Sequence, residues 1–88
     1  MKLAWADAAW EDYIWWQDND RKTARKINDL IKSARRTPFE GLGKPEPLKG
    51  DWSGWWFRRI TLEHRLVYQA VGEGNGATLV IAQCRYHY

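Results

Sequence analysis

From Asp7 to Gln17, Trp10, Tyr13, Ile14 and Gln17 recur at i, i+3, i+4 and i+7, a spacing that predicts a helix with these residues on its inner face. Asn19-Asp20 interrupts that pattern. Asp20 is a natural N-cap for a second helix over Arg21–Arg36, whose apolar stripe is Ala24, Ile27, Leu30, Ile31 and Ala34. Arg35 and Arg36 fall at the end where the helix dipole favours cations, and Thr37-Pro38 stops the helix. So tight a joint makes the two helices an antiparallel hairpin. Ahead of them, Lys2 to Trp5 alternates as a short strand. Phe39 to Gly50 reads as a loop built on Gly41, Gly43, Pro45, Pro47 and Gly50. After Trp52 the period drops to two. It predicts strands over Trp55–Thr61, Arg65–Val71 and Ala77 to Tyr86 or beyond. Leu62-Glu63 joins the first two, and the flexible Gly72–Gly76 turn joins the last two. The order β-α-α-β-β-β makes one α+β domain over 1–88. A helical hairpin packs on one face of a mostly antiparallel twisted sheet, and the other face is free to bind a partner.

Composition narrows the class. Eighty-eight residues bury only a modest core, and seven tryptophans raise the area each buried residue contributes. No window reaches the length of a membrane span and no charged-then-apolar leader opens the chain, so a cytoplasmic protein is expected. The lone Cys84 cannot form an internal disulfide and sits in a strand pattern, which predicts a packed, inert thiol. The net charge of +3 is unevenly spread. Acids crowd the first quarter, while Arg21–Arg36 and Lys44–Arg65 are rich in lysine and arginine. The first of these basic segments reads as a solvated helix face. Lys49, Arg58, Arg59 and Arg65 read instead as a polyanion-facing surface.

The residues able to do chemistry are few. Glu46 lies between two prolines in Lys44-Pro45-Glu46-Pro47-Leu48-Lys49. Each proline fixes its own φ and pushes its predecessor toward an extended conformation, so this carboxylate is held on a stiffened segment. Arg59 and Arg65 lie in neighbouring strands and can converge as a phosphate clamp, with Arg58 on the opposite face from Arg59. His87 ends the chain within Arg85-Tyr86-His87-Tyr88 and can exchange a proton at cellular pH. In a regular strand Tyr86 and Tyr88 face away from it. Tyr86 is assigned to the core, and Tyr88 reaches the site where the chain end bends. His64 is assigned a structural role. Two histidines and one cysteine, so scattered, give no persuasive metal site, and no cofactor is called for. Carboxylate, imidazole, guanidinium and aromatics together suit metal-free RNA cleavage. A base takes the proton of a 2′-hydroxyl that attacks its own phosphate, a cation stabilises the crowded phosphorus, and an acid protonates the leaving 5′-oxygen.

These segments resemble a known family. Arg35-Arg36-Thr37-Pro38-Phe39-Glu40-Gly41, Gly43-Lys44-Pro45-Glu46-Pro47-Leu48-Lys49, Arg58-Arg59-Ile60-Thr61, Glu63-His64-Arg65-Leu66-Val67-Tyr68 and Cys84-Arg85-Tyr86-His87-Tyr88 are similar to the YoeB (Txe) toxins of the RelE/ParE superfamily. The resemblance runs from Met1 to Tyr88. It implies a type II toxin–antitoxin mRNA endonuclease acting in the ribosomal A site. Glu46 would be general base, His87 general acid, Arg65 the transition-state cation and Tyr88 an orienting group. Lys49 and Arg59 would bind RNA phosphate. The implied partners are the ribosome with its mRNA and a YefM-like antitoxin whose acidic, disordered segment folds on the toxin. Operator DNA would be met only through that antitoxin, and a homodimer is among the implied assemblies. Two rival functions stand beside it, the first on the same scaffold. One is a ParE-like gyrase inhibitor, which needs no proton transfer. The other is a non-enzymatic RNA-binding translation regulator, in which the arginines matter and His87 does not.

Overall fold

The computed structural model describes residues 1–86, so His87 and Tyr88 lie outside the described residues. The chain runs β1 (Lys2–Trp5), α1 (Asp7–Asn19), α2 (Arg21–Arg36), β2 (Glu46–Pro47), β3 (Trp56–Arg59), β4 (Arg65–Val71) and β5 (Thr78–Gln83). The sheet order is β1-β5-β4-β3-β2, with β1 parallel to β5 and every other pairing antiparallel. A helical hairpin on a mixed sheet, an α+β fold, is the architecture expected. The sheet gains a strand that the sequence pattern did not show, because Glu46 and Pro47 pair with Phe57 and Trp56.

Asp20 caps α2 as expected, its carboxylate accepting the Thr23 backbone N–H at 3.1 Å. The expected stripe of α2 is buried in full. That of α1 is not. Trp10 and Ile14 are 49% and 41% exposed, while Ala9 and Trp16 are the buried residues. Helix α1 carries large apolar groups in nearly every direction, so periodicity alone could not choose its face. The indole N–H decides it. A buried tryptophan needs an acceptor, and Trp16 Nε1 donates to the Cys84 carbonyl at 2.8 Å. Trp10 and Tyr13 instead stack beside Trp5 at the sheet margin, with centroids 5.6 and 4.8 Å from that ring.

Alternation in the strands builds two cores. On the helix side, Leu66 and Tyr68 of β4 and Leu79 and Ile81 of β5 pack against α1 and α2. On the far side, Phe57 and Val67 pack with Leu48, Trp55 and Ala82. The far face is therefore partly covered rather than wholly free.

β5 stops at Gln83 instead of running on to Tyr86. Tyr86 has φ +62°, which turns the chain away from the strand. Its side chain is 58% exposed, not part of the core. Strand alternation thus does not govern Cys84 to Tyr86. Among the described residues no helix is long and apolar enough to cross a membrane.

Candidate functional site

Glu46 is held by backbone ties on both sides. Upstream, the Gly43 carbonyl accepts the Arg59 N–H at 2.8 Å; downstream, Leu48 N–H donates to the Trp55 carbonyl at 2.9 Å. Gly43 has φ +84°, and a Cβ there would lie 2.6 Å from Leu30 Cδ2 and 3.1 Å from Arg58 Cβ. Only glycine lets the loop cross this close to α2 and β3. The prolines act as expected on Glu46, which precedes Pro47 in extended conformation. They do not on Lys44, which precedes Pro45 at φ +53°; the sharp entry from Gly43 into β2 overrides the preference.

Register assembles the other groups. Glu46 pairs with Phe57, Phe57 with Val67, and Arg59 with Arg65. Side chains alternate along strands, so these residues share the sheet face turned away from the helices. A cleft of about 380 Å³ opens there, lined by Glu46, Pro47, Leu48, Lys49, Trp52 and Phe57. The Arg65 guanidinium lies over the Phe57 ring, 5.9 Å from its centroid. Its Nη1 donates to the carbonyls of Thr61, Leu62 and His64 at 2.8, 3.1 and 3.1 Å. Among the described residues its Nε and Nη2 make no hydrogen bond. The cation is fixed from behind, with donors left over for an anion.

Arg58 does not belong to this surface. It points to the helix side and is fully buried. Nε donates to the Tyr68 hydroxyl at 3.0 Å. Nη1 donates to Ser33 Oγ and the Leu42 carbonyl, and Nη2 to the Thr37 and Glu40 carbonyls. The expectation that it faces a polyanion is corrected. A guanidinium fork is the one side chain that can satisfy so many carbonyls of one loop at once.

Trp52 and Phe57, which were not among the expected site residues, also line the cleft. The signal for Trp52 was its place in a Gly50–Trp52 turn between glycines, where a large ring finds little to pack against. Among the described residues no cluster of His, Cys, Asp and Glu is grouped to hold a metal ion.

Cys84 and Tyr86 are held by α1 and by residues at the start of β4. Asp12 Oδ2 accepts the Cys84 N–H at 3.2 Å. Burial raises the Asp12 carboxyl above its usual range, more than this bond lowers it. His64 Nδ1 accepts the Tyr86 N–H at 2.6 Å, and Arg65 N–H donates to the Tyr86 carbonyl at 2.9 Å. The structural role given to His64 thus has definite partners. Cys84 is buried as expected, and burial, with the nearby Asp12 charge, pushes its thiol up to about 12. Alkylation by iodoacetamide at pH 8 should be about three orders of magnitude slower in the native protein than in urea, in step with the lost thiolate. Equal rates in the two states would contradict the buried thiol.

Comparison with known proteins adds the family. The model for the YoeB-like toxin of bacterial type II toxin–antitoxin systems matches residues 5–88. The chain belongs to the YoeB toxin family. Toxin YoeB of Escherichia coli K12 is 58% identical over 88 residues, all of both chains. The solved YoeB/ParE toxin from Agrobacterium tumefaciens superimposes with a TM-score of 0.98 at 58% identity, again over both whole chains. YoeB from Staphylococcus aureus has been solved as a dimer, with a TM-score of 0.88 and 45% identity. Its complex with YefM gives 0.86 and 44%, and in both the match covers 100% of this chain and 98% of the other. Within this YoeB-family chain, Glu46 and Lys49 line one cleft, and Arg59 and Arg65 sit on the same sheet face. His87 and Tyr88 lie outside the described residues.

Proposed function

We propose that this YoeB-family toxin is a metal-independent endoribonuclease that cuts mRNA in the ribosomal A site. Glu46 removes the proton of the 2′-hydroxyl next to the scissile phosphate. The oxygen attacks phosphorus, Arg65 stabilises the charge that builds on the phosphoryl oxygens, and His87 protonates the departing 5′-oxygen. Tyr88 orients the acid or the nucleotide, and Lys49 and Arg59 bind flanking phosphates. DNA lacks the attacking hydroxyl, so the chemistry itself selects RNA.

The observation that carries this reading is the shared face of Glu46, Arg59 and Arg65, set by the register of β2, β3 and β4. Support also comes from Arg65, whose donors are oriented before any substrate arrives, as electrostatic catalysis requires. The two non-glycine residues described at positive φ are Lys44, two before Glu46, and Tyr86, one before His87. Backbone strain of this kind gathers at functional sites.

The partner follows the same logic. A YefM-like antitoxin would bring an acidic segment that folds over the basic face and shuts it; the solved YoeB–YefM complex of S. aureus supports a partner of that kind. Operator DNA is then reached only through the antitoxin, and the toxin works in the cytoplasm, with a homodimer as one of its states.

The test is the chemistry of the ends. Purified protein added to ribosomes carrying a defined mRNA should leave a 3′ fragment starting with a 5′-hydroxyl and a 5′ fragment ending in a cyclic or opened phosphate. A 2′-deoxy nucleotide at the cut should block it. A 5′-phosphate, or cleavage of the deoxy message, would overturn the mechanism. Inhibition of DNA supercoiling without cleavage would transfer the chain to the gyrase-directed class.

A further inference from the structure

Three contacts converge on His64, which the nuclease mechanism does not use. Its Nδ1 accepts the Tyr86 N–H at 2.6 Å. Its ring stands edge-on to buried Trp16, 4.8 Å between centroids at 90°. Its own carbonyl accepts from Arg65 Nη1 at 3.1 Å. One residue therefore touches helix α1, the proposed transition-state cation and the backbone of the residue bonded to His87. Arg65 N–H holds the other side of the same residue, through the Tyr86 carbonyl at 2.9 Å. The left-handed Tyr86, φ +62°, is thus pinned at both of its polar backbone atoms.

We propose that His64 is a positioning residue of the nuclease: it locks the turn at Tyr86, the residue that precedes the proposed proton donor in sequence, and ties that turn to Arg65. The proposal rests on the reading of His87 as general acid. Trp16 supplies the wall, holding the imidazole edge-on so that Nδ1 meets the Tyr86 amide. The acceptor, not the aromatic bulk, is what the terminal segment needs.

Two variants separate those contributions in the full-length protein. His64→Phe keeps a ring against Trp16 and removes the acceptor; His64→Asn places a carbonyl near the position of Nδ1. In His64→Phe, amide exchange at Tyr86, followed by NMR on the free toxin, should accelerate at least tenfold, while Leu66 and Tyr68 amides keep their protection. Its kcat on programmed ribosomes should fall roughly 10- to 100-fold with KM unchanged, the scale of a misplaced catalytic group. His64→Asn should recover both. Wild-type exchange at Tyr86 in His64→Phe would overturn the proposal. So would wild-type kcat despite fast exchange, or an Asn variant no better than the Phe one. Wild-type protein that protects Tyr86 yet cleaves nothing would instead remove the nuclease reading, with the anchor itself upheld by exchange.

Discussion

Glu46→Gln is expected to slow message cleavage by about 10²- to 10⁴-fold, the usual contribution of a positioned general base. Glutamine keeps the volume and a hydrogen-bonding oxygen but cannot take the 2′-hydroxyl proton. The side chain is exposed on a two-residue strand, so fold stability should change by no more than about 0.5 kcal/mol. Ribosome binding, which the proposed mechanism does not assign to this carboxylate, should persist. His87→Gln should fall by a similar factor through loss of the donor. The double variant should be far less than multiplicatively worse, because acid and base act in one concerted step. Single-turnover cleavage with co-sedimentation on ribosomes measures both quantities. A Glu46→Gln protein cutting at the wild-type rate would remove Glu46 from the mechanism. Loss of cleavage together with loss of binding would make it a binding residue.

What the chain disclosed in advance follows from which interactions are local. Helix α2 was legible because its stripe and its terminal arginines lie within its own sixteen residues and its Asp20 cap directly precedes them. Helix α1 was legible as a helix but not in its orientation, since its buried face depends on a bond from Trp16 to Cys84, 68 residues away. Strand β2 was hidden because two residues, Glu46 and Pro47, are too few to carry a period; only the ladder to Phe57 and Trp56 makes them a strand. The candidate site divides in the same way. Glu46, Lys49, Arg59 and Arg65 stood out by residue type, and strand register then put them on one face or one cleft. Trp52, Phe57 and His64 did not stand out, because an aromatic or a lone histidine gains its role from neighbours distant in sequence. His64 meets Tyr86 across 22 positions.

Arg58 and Arg59 give the sharpest contrast, identical neighbours with opposite environments, and the largest stability effect expected of one substitution. Arg58→Met should destabilise the fold by about 3–5 kcal/mol. Methionine fills much of the volume but leaves the Thr37, Glu40 and Leu42 carbonyls, Ser33 Oγ and the Tyr68 hydroxyl without the donor that ties them together. An unmet buried acceptor costs about 1–3 kcal/mol, and water can reach only part of this loop, so the losses do not cancel. For a domain this small each kcal/mol lowers Tm by about 4–8 °C, which places the expected fall above roughly 12 °C. Arg58→Lys should recover less than half, because an ammonium has three donors and no planar fork. Arg59→Met, on an exposed side chain, should stay within about 0.5 kcal/mol. Cleavage should respond in the reverse order of exposure to substrate. Arg59→Met weakens RNA binding in a salt-dependent way, whereas Arg58→Met lowers kcat by loosening the loop that leads through Gly43 to Glu46. Urea unfolding of the three variants decides it. An Arg58→Met midpoint matching that of Arg59→Met would mean the buried fork organises nothing, and the rigidity assigned to the Glu46 segment would lose its foundation.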